Sequence, residues 1–257
     1  MRGTIRRLKS EGVPDGIDLS DYLFGFVSIS ANGGNEMKLF LNAIFKYFLG
    51  LALVMALLFV PAGTLLYLNG WLFIALLFVP MLLLGGILLI KSPSLLEKRL
   101  NAKEKQSDQS IVVALSGVMF LAGFVVAGLD HRFSWTKMPK TAVIIASVVL
   151  LISYALYAEV MRENAYLSRT VEVSDGQTVV DKGLYGIVRH PMYAVTVWLF
   201  LSIPIILGSL WALLCFLPYI PMIVIRIIGE ERLLVKELDG YSDYMKRVRY
   251  RLIPFIW

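Results

Sequence analysis

The chain has 257 residues, of which 58% are hydrophobic and only 17% charged. Several apolar runs are long enough to cross a hydrocarbon core of about 30 Å, which excludes an ordinary soluble globular protein. One cysteine and two histidines exclude an internal disulfide and supply no ligand set for a metal ion, so none is expected.

In chain order, residues 1–36 are polar, rich in Gly, Ser and Asp, and lack the short apolar core followed by small residues that marks a cleaved signal peptide. They read as a poorly ordered tail, and Met37 opens Met-Lys-Leu-Phe-Leu as an alternative start. Residues 37–140 carry the amino-terminal transmembrane helices. The apolar runs predict helices over about 39–60, 64–90, 111–128, 141–158, 193–207 and 210–228, because stretches such as Leu72 to Ile90 are apolar all round. Pro80 and Gly85-Gly86 predict a tilt or kink in the second. Residues 91–110 read as a charged loop. Asp130-His-Arg-Phe-Ser-Trp135 with Pro139 reads as a short connection of residue types suited to anchoring at the membrane–water interface. The polar stretch from Glu159 to Lys182 holds two short extended pieces, 171–173 and 177–180, around the turn signal Ser174-Asp-Gly176, and reads as a lid or cofactor rim.

Six helices place both chain ends on one side. That side receives all of the 25 lysines and arginines except Arg132, Lys137 and Lys140, so it is expected to be cytoplasmic. The basic charge reads as orientation and contact with lipid, not as a nucleic-acid surface. The expected fold is all-α: a polytopic membrane protein with about six transmembrane helices, a carboxyl-terminal helical hairpin and a cytoplasmic cofactor pocket.

Polar chemistry concentrates at the two ends of that hairpin. Gly183 to Tyr193 reads Gly-Leu-Tyr-Gly-Ile-Val-Arg-His-Pro-Met-Tyr, and some thirty apolar residues later comes Arg226-Ile-Ile-Gly-Glu230-Glu231. Arms of similar length return the chain to its starting side, so Arg189 and His190 are expected to face Arg226, Glu230 and Glu231 across a small gap. Pro218 and Pro221 open the backbone ladder of the return arm, which suits a cavity wall. A carboxylate suits the amino end of a sulfonium methyl donor, an arginine forks onto an anionic acceptor, and Tyr185 and Tyr193 suit an adenine or a cation.

Tyr185-x-x-x-Arg189-His190-Pro191-x-Tyr193, Arg226-x-x-x-Glu230-Glu231 and the tail from Gly240-Tyr-Ser-Asp-Tyr244 to Pro254 resemble the isoprenylcysteine carboxyl methyltransferase family and its phospholipid methyltransferase relatives. The resemblance covers residues 141–257 as a catalytic region. It implies S-adenosylmethionine held by Gln177, Thr178, Val179, Val180, Tyr185, His190, Pro191, Met192, Tyr193 and Glu230. It further implies that Arg226 meets the acceptor, with Glu231 orienting either Arg226 or the acceptor. Val195 stands where many relatives carry glycine and is expected to narrow the cavity beside the donor. Asp130-His-Arg-Phe with Trp135 looks like a feature of some bacterial members, which suggests a prokaryotic enzyme whose acceptor need not be a prenylated protein; the membrane is expected to be a bacterial inner membrane or one like the endoplasmic reticulum. The expected partners are the lipid bilayer and a lipophilic or membrane-accessible acceptor, such as an isoprenylcysteine-type carboxylate, with substrate choice residing in the amino-terminal half. Two other readings stay open: an NADPH-dependent membrane reductase of the sterol type, which shares an Arg-His-Pro-x-Tyr motif, and a non-enzymatic scaffold or transporter. The latter is disfavoured by the lack of an internal repeat.

Overall fold

A computed structural model describes residues 33–100, 107–164, 166, 173 and 176–257. The expected polar tail lies outside the described residues as far as residue 32, as do Val171, Glu172, Ser174 and Asp175. The chain forms helices α1 (Gly33–Ala62), α2 (Leu68–Lys91), α3 (Pro93–Leu100), α4 (Ser107–Phe133), α5 (Lys140–Glu163), a single 3-10 turn (Gly183–Gly186), then α6 (Pro191–Leu207), α7 (Leu210–Phe216), α8 (Tyr219–Glu237) and α9 (Tyr241–Arg247). No strand occurs among the described residues, so the stretch 177–180 is irregular where short extended pieces are expected.

Among the described residues, five helical spans are long and apolar enough to cross a bilayer: Met37–Ala62, Leu68–Lys91, Ile111–Phe133, Lys140–Glu163 and Leu210–Glu237. Together with the outward-facing Val60, Leu83, Ile144 and Ile145, all exposed, they make this an integral membrane protein, since helices satisfy their own backbone groups in lipid. The remaining apolar helix, α6, has 17 residues and spans about 25 Å.

Three departures from the sequence expectation have local causes. Part of the expected charged loop over 91–110 is the helix α3, opened by Pro93 at its first position, where a missing N–H costs nothing. The return arm of the hairpin is two helices, broken at Leu217 and Pro218. Pro221 lies in the first turn of α8, where no intrahelical donor is required, and does no damage there. The second helix then continues to Glu237, so Arg226, Glu230 and Glu231 share one uninterrupted helix.

At one end of the bundle a buried carboxylate ties two connections together. Asp130 is 2% exposed and accepts hydrogen bonds from Thr136 N at 2.7 Å, Thr136 Oγ1 at 2.7 Å and Ser209 Oγ at 2.5 Å. Sequence expectation made this residue part of an interfacial loop; the structure makes it the last turn of α4 and a brace on the hairpin turn. Arg132, Phe133 and Trp135, all exposed and the last two stacked, do fit the interfacial description. The turn itself uses Gly208 at φ +79°, a left-handed conformation that favours glycine. Tyr67 Oη donates to Leu207 O at 2.5 Å and the Tyr67 ring stacks on His131. Above this end, Phe120 meets Phe200 and Phe216 edge to face. A side chain at Gly123 would run into the Phe216 ring, which fixes the close approach of α4 to α7.

Candidate active site

The opposite end of the bundle is built from the end of α5, the 3-10 turn, the start of α6 and the end of α8. Glu163, at the end of α5, accepts the backbone N–H of Leu184 with both carboxylate oxygens, at 3.1 and 2.9 Å. Gly183 makes this possible: its φ is +57°, and a Cβ there would overlap the Glu163 carboxylate. The turn that follows presents Tyr185, whose hydroxyl meets Asn164 Nδ2 at 3.0 Å and whose carbonyl accepts from Tyr244 Oη at 2.7 Å.

His190 caps α6 and Pro191 takes its first position, the site where proline's fixed φ suits a helix start. Three basic side chains converge on the buried Glu231 carboxylate. Arg189 Nε donates to Oε1 at 2.7 Å, His190 Nε2 lies 3.3 Å from the same oxygen, and Arg251 Nε donates to Oε2 at 2.8 Å. Arg189 also donates through Nη1 to Val248 O and Arg249 O, each at 2.9 Å. A buried charge needs such compensation, and both Glu231 oxygens have it. The geometry directs Glu231 to Arg189, His190 and Arg251 and not to Arg226, the first of the two groups it was expected to orient.

The two motif clusters do meet, through Tyr193. Its hydroxyl donates to Glu230 Oε2 at 2.6 Å and accepts from Arg226 Nε at 3.0 Å, while its ring stacks on His190 with centroids 5.8 Å apart. Arg226 is 7% exposed. On the other side of these residues opens a cleft of ≈ 830 Å³, counting the space continuous with solvent. Gln177, Thr178, Val179, Val180, Tyr185, His190, Met192, Tyr193 and Glu230 line it. Of the expected donor residues Pro191 alone does not, being turned into the protein in the first turn of α6. Arg226 and Glu231 stand behind the wall rather than on it. Val195 is buried away from the cleft and does not narrow it.

Sequence reasoning missed Asn164, Tyr241 and Tyr244, which also line the cleft. The signal for the tyrosines was their spacing of three on the short helix α9, one face of which packs with Leu238 and Val248 as a small apolar cluster. Tyr241 carries the one buried side-chain oxygen or nitrogen among the described residues without a hydrogen-bond partner, its hydroxyl. Burial first, and then the charges of Glu231 and Glu230, hold that phenol above its ordinary titration range, so it is a neutral donor. Among the described residues no group of three His, Cys, Asp or Glu is placed to hold a metal ion.

Residues 140–239 match the family model of phospholipid methyltransferase. The fold is similar to that of a solved eukaryotic intramembrane Ras methyltransferase, ICMT (isoprenylcysteine carboxyl methyltransferase), at 20% identity and a TM-score of 0.50, with 93% of each chain covered. No curated protein sequence matches the chain significantly.

Proposed function

Because residues 140–239 match the phospholipid methyltransferase family model, we propose that the chain belongs to that family and is an S-adenosylmethionine-dependent methyltransferase acting on a lipophilic or membrane-accessible acceptor. The observation that carries this reading is the meeting of the two motif clusters at Tyr193: one wall residue bonds both Glu230, on the cleft, and Arg226, behind it. The cleft's chemistry fits such a donor. It combines a carboxylate for an ammonium group, aromatic faces at Tyr185, Tyr241 and Tyr244 for an adenine, and the buried Tyr241 hydroxyl whose hydrogen-bonding capacity is unused in the protein.

When bound, the donor supplies a methyl group already activated on a sulfonium, so the protein's contribution is alignment and exclusion of water. In this reading Glu230, held by Tyr193, fixes the amino end of the donor. Arg226 meets the polar end of the acceptor from the membrane side, and Tyr193 sets the distance between the two. Glu231 keeps Arg189 and His190 in the wall of the cleft. The bundle over 37–140 selects the acceptor and the region over 141–257 performs the transfer, with the cleft on the cytoplasmic face in agreement with the distribution of lysine and arginine. An acceptor such as an isoprenylcysteine-type carboxylate satisfies these requirements.

Calorimetric titration of the protein in lipid nanodiscs with S-adenosylhomocysteine is the direct test. Saturable binding that Glu230→Gln weakens supports the reading. A preparation that turns over no labelled methyl group into lipid extract and binds no S-adenosylhomocysteine removes it.

A further inference from the structure

The segment from Val248 to Trp257 lies beyond the family-matched region, yet it is bonded to the Arg189-His190 pair through both backbone and side chain. Arg189 N donates to Tyr250 O and His190 N to Arg251 O, both at 2.9 Å. The Arg189 guanidinium holds the carbonyls of Val248 and Arg249. Arg251 returns the contact by donating to Glu231 Oε2 at 2.8 Å. The segment is itself closed into a tight loop, because the N–H groups of Arg251, Leu252 and Ile253 all converge on Trp257 O and the Arg251 guanidinium lies 5.1 Å over the Trp257 ring.

We propose that this segment is a strap that sets the donor cleft, with Arg251 as a positioning residue that acts on His190 through Glu231. Glu231 carries one negative charge, faces Arg189, His190 and Arg251, and lies near enough to Tyr241 to act on its phenol, as Glu230 also does. Arg189 is already engaged by two carbonyls, so Oε2 of Glu231 depends on Arg251 alone among the hydrogen bonds formed there. With Arg251 removed, the carboxylate is free to rotate toward Arg189 and His190, and the imidazole that lines the cleft loses its fixed partner. Backbone pairing alone would hold the strap in place; the ion pair is what transmits its position to the cleft wall. The inference rests on the donor reading for the meaning of the cleft, though its geometry does not.

The test uses the full chain in nanodiscs and the variants Arg251→Gln and Arg251→Lys. Arg251→Gln is expected to weaken S-adenosylhomocysteine binding about tenfold, and to move the imidazole NMR resonances of His190 while those of His131, the other histidine of the chain, stay in place. Arg251→Lys keeps the charge and is expected to restore the His190 resonances and most of the affinity. A merely structural loss would lower the melting temperature and disturb both histidines alike. Wild-type affinity in Arg251→Gln, or unmoved His190 resonances, overturns the proposal. If Arg251→Gln does not fold, the lysine variant decides: binding as weak as in a Glu230→Gln control would show that charge at 251 does not set the site. If the wild-type protein binds no S-adenosylhomocysteine, the donor reading fails by itself, and the His190 resonances, which need no donor, still decide for or against the strap.

Discussion

Tyr241→Phe should move stability and affinity in opposite directions. The hydroxyl is buried with no partner in the protein, and an unsatisfied buried polar group costs about 1–3 kcal/mol. Its removal should therefore raise the unfolding free energy of the ligand-free protein by up to that amount, with the ring's packing against Tyr244 retained at a centroid distance of 5.6 Å. A neutral hydrogen bond to a bound ligand contributes about 0.5–1.5 kcal/mol net, so the same change should weaken S-adenosylhomocysteine binding roughly two- to tenfold. Because burial and the neighbouring glutamates raise the phenol's titration, the donor O–H is present throughout neutral pH. The affinity ratio between wild type and variant should then be constant from about pH 6 to pH 9. Thermal unfolding without ligand, followed by calorimetry with it, measures both effects in one preparation. A variant that is less stable when empty and binds as tightly as wild type would refute the reasoning.

Other expectations follow from the same geometry. Glu230→Gln keeps the size and the Tyr193 contact but removes the charge on the cleft, so donor affinity should fall about tenfold, as for a lost charge-assisted bond. Arg226→Ala, behind the wall, should leave that affinity within about threefold and depress turnover by about a hundredfold or more in a methyl-transfer assay. Equal loss of donor binding in both variants would contradict the division of roles between them. Asp130→Ala strands Thr136 and Ser209 at the far end of the bundle and should cost about 2–4 kcal/mol in stability, read as a lowered unfolding midpoint. The same variant should bind S-adenosylhomocysteine normally, since the cleft lies at the opposite end.

Much of this protein was legible in its sequence because lipid enforces a simple rule: a chain segment crossing the bilayer must be apolar and helical, and such runs are visible without alignment. Part of the cleft wall, Tyr185, His190, Tyr193 and Glu230, was legible for a related reason, as polar residues flanking an apolar hairpin have few places to go, whereas Gln177 to Val180 and Met192 came from the family resemblance alone. What escaped was angular. Glu230 and Glu231 are neighbours in sequence, but one residue is about 100° around a helix, so the first reaches the cleft and the second turns back into the Arg189, His190 and Arg251 cluster. No local pattern separates them. Asp130 was misread for the opposite reason: its surroundings, Arg132 and Trp135, are interfacial, and its burial depends on Ser209, far along the chain. Tyr241 was hidden in a tail whose polar composition gives no hint that its hydroxyl is enclosed.

The 17-residue length of α6 has a consequence for traffic between lipid and enzyme. A wall too short for the surrounding hydrocarbon draws the two leaflets together beside it, and where α6 meets lipid, through a side chain such as the 59% exposed Trp198, it would thin the bilayer. Head groups beside it would then ride deeper than elsewhere in the same leaflet, closer to the level of Tyr193 and Arg226. On the proposed function, an amphiphilic acceptor would then be carried part of the way to Tyr193 and Arg226 by the bilayer's own elasticity.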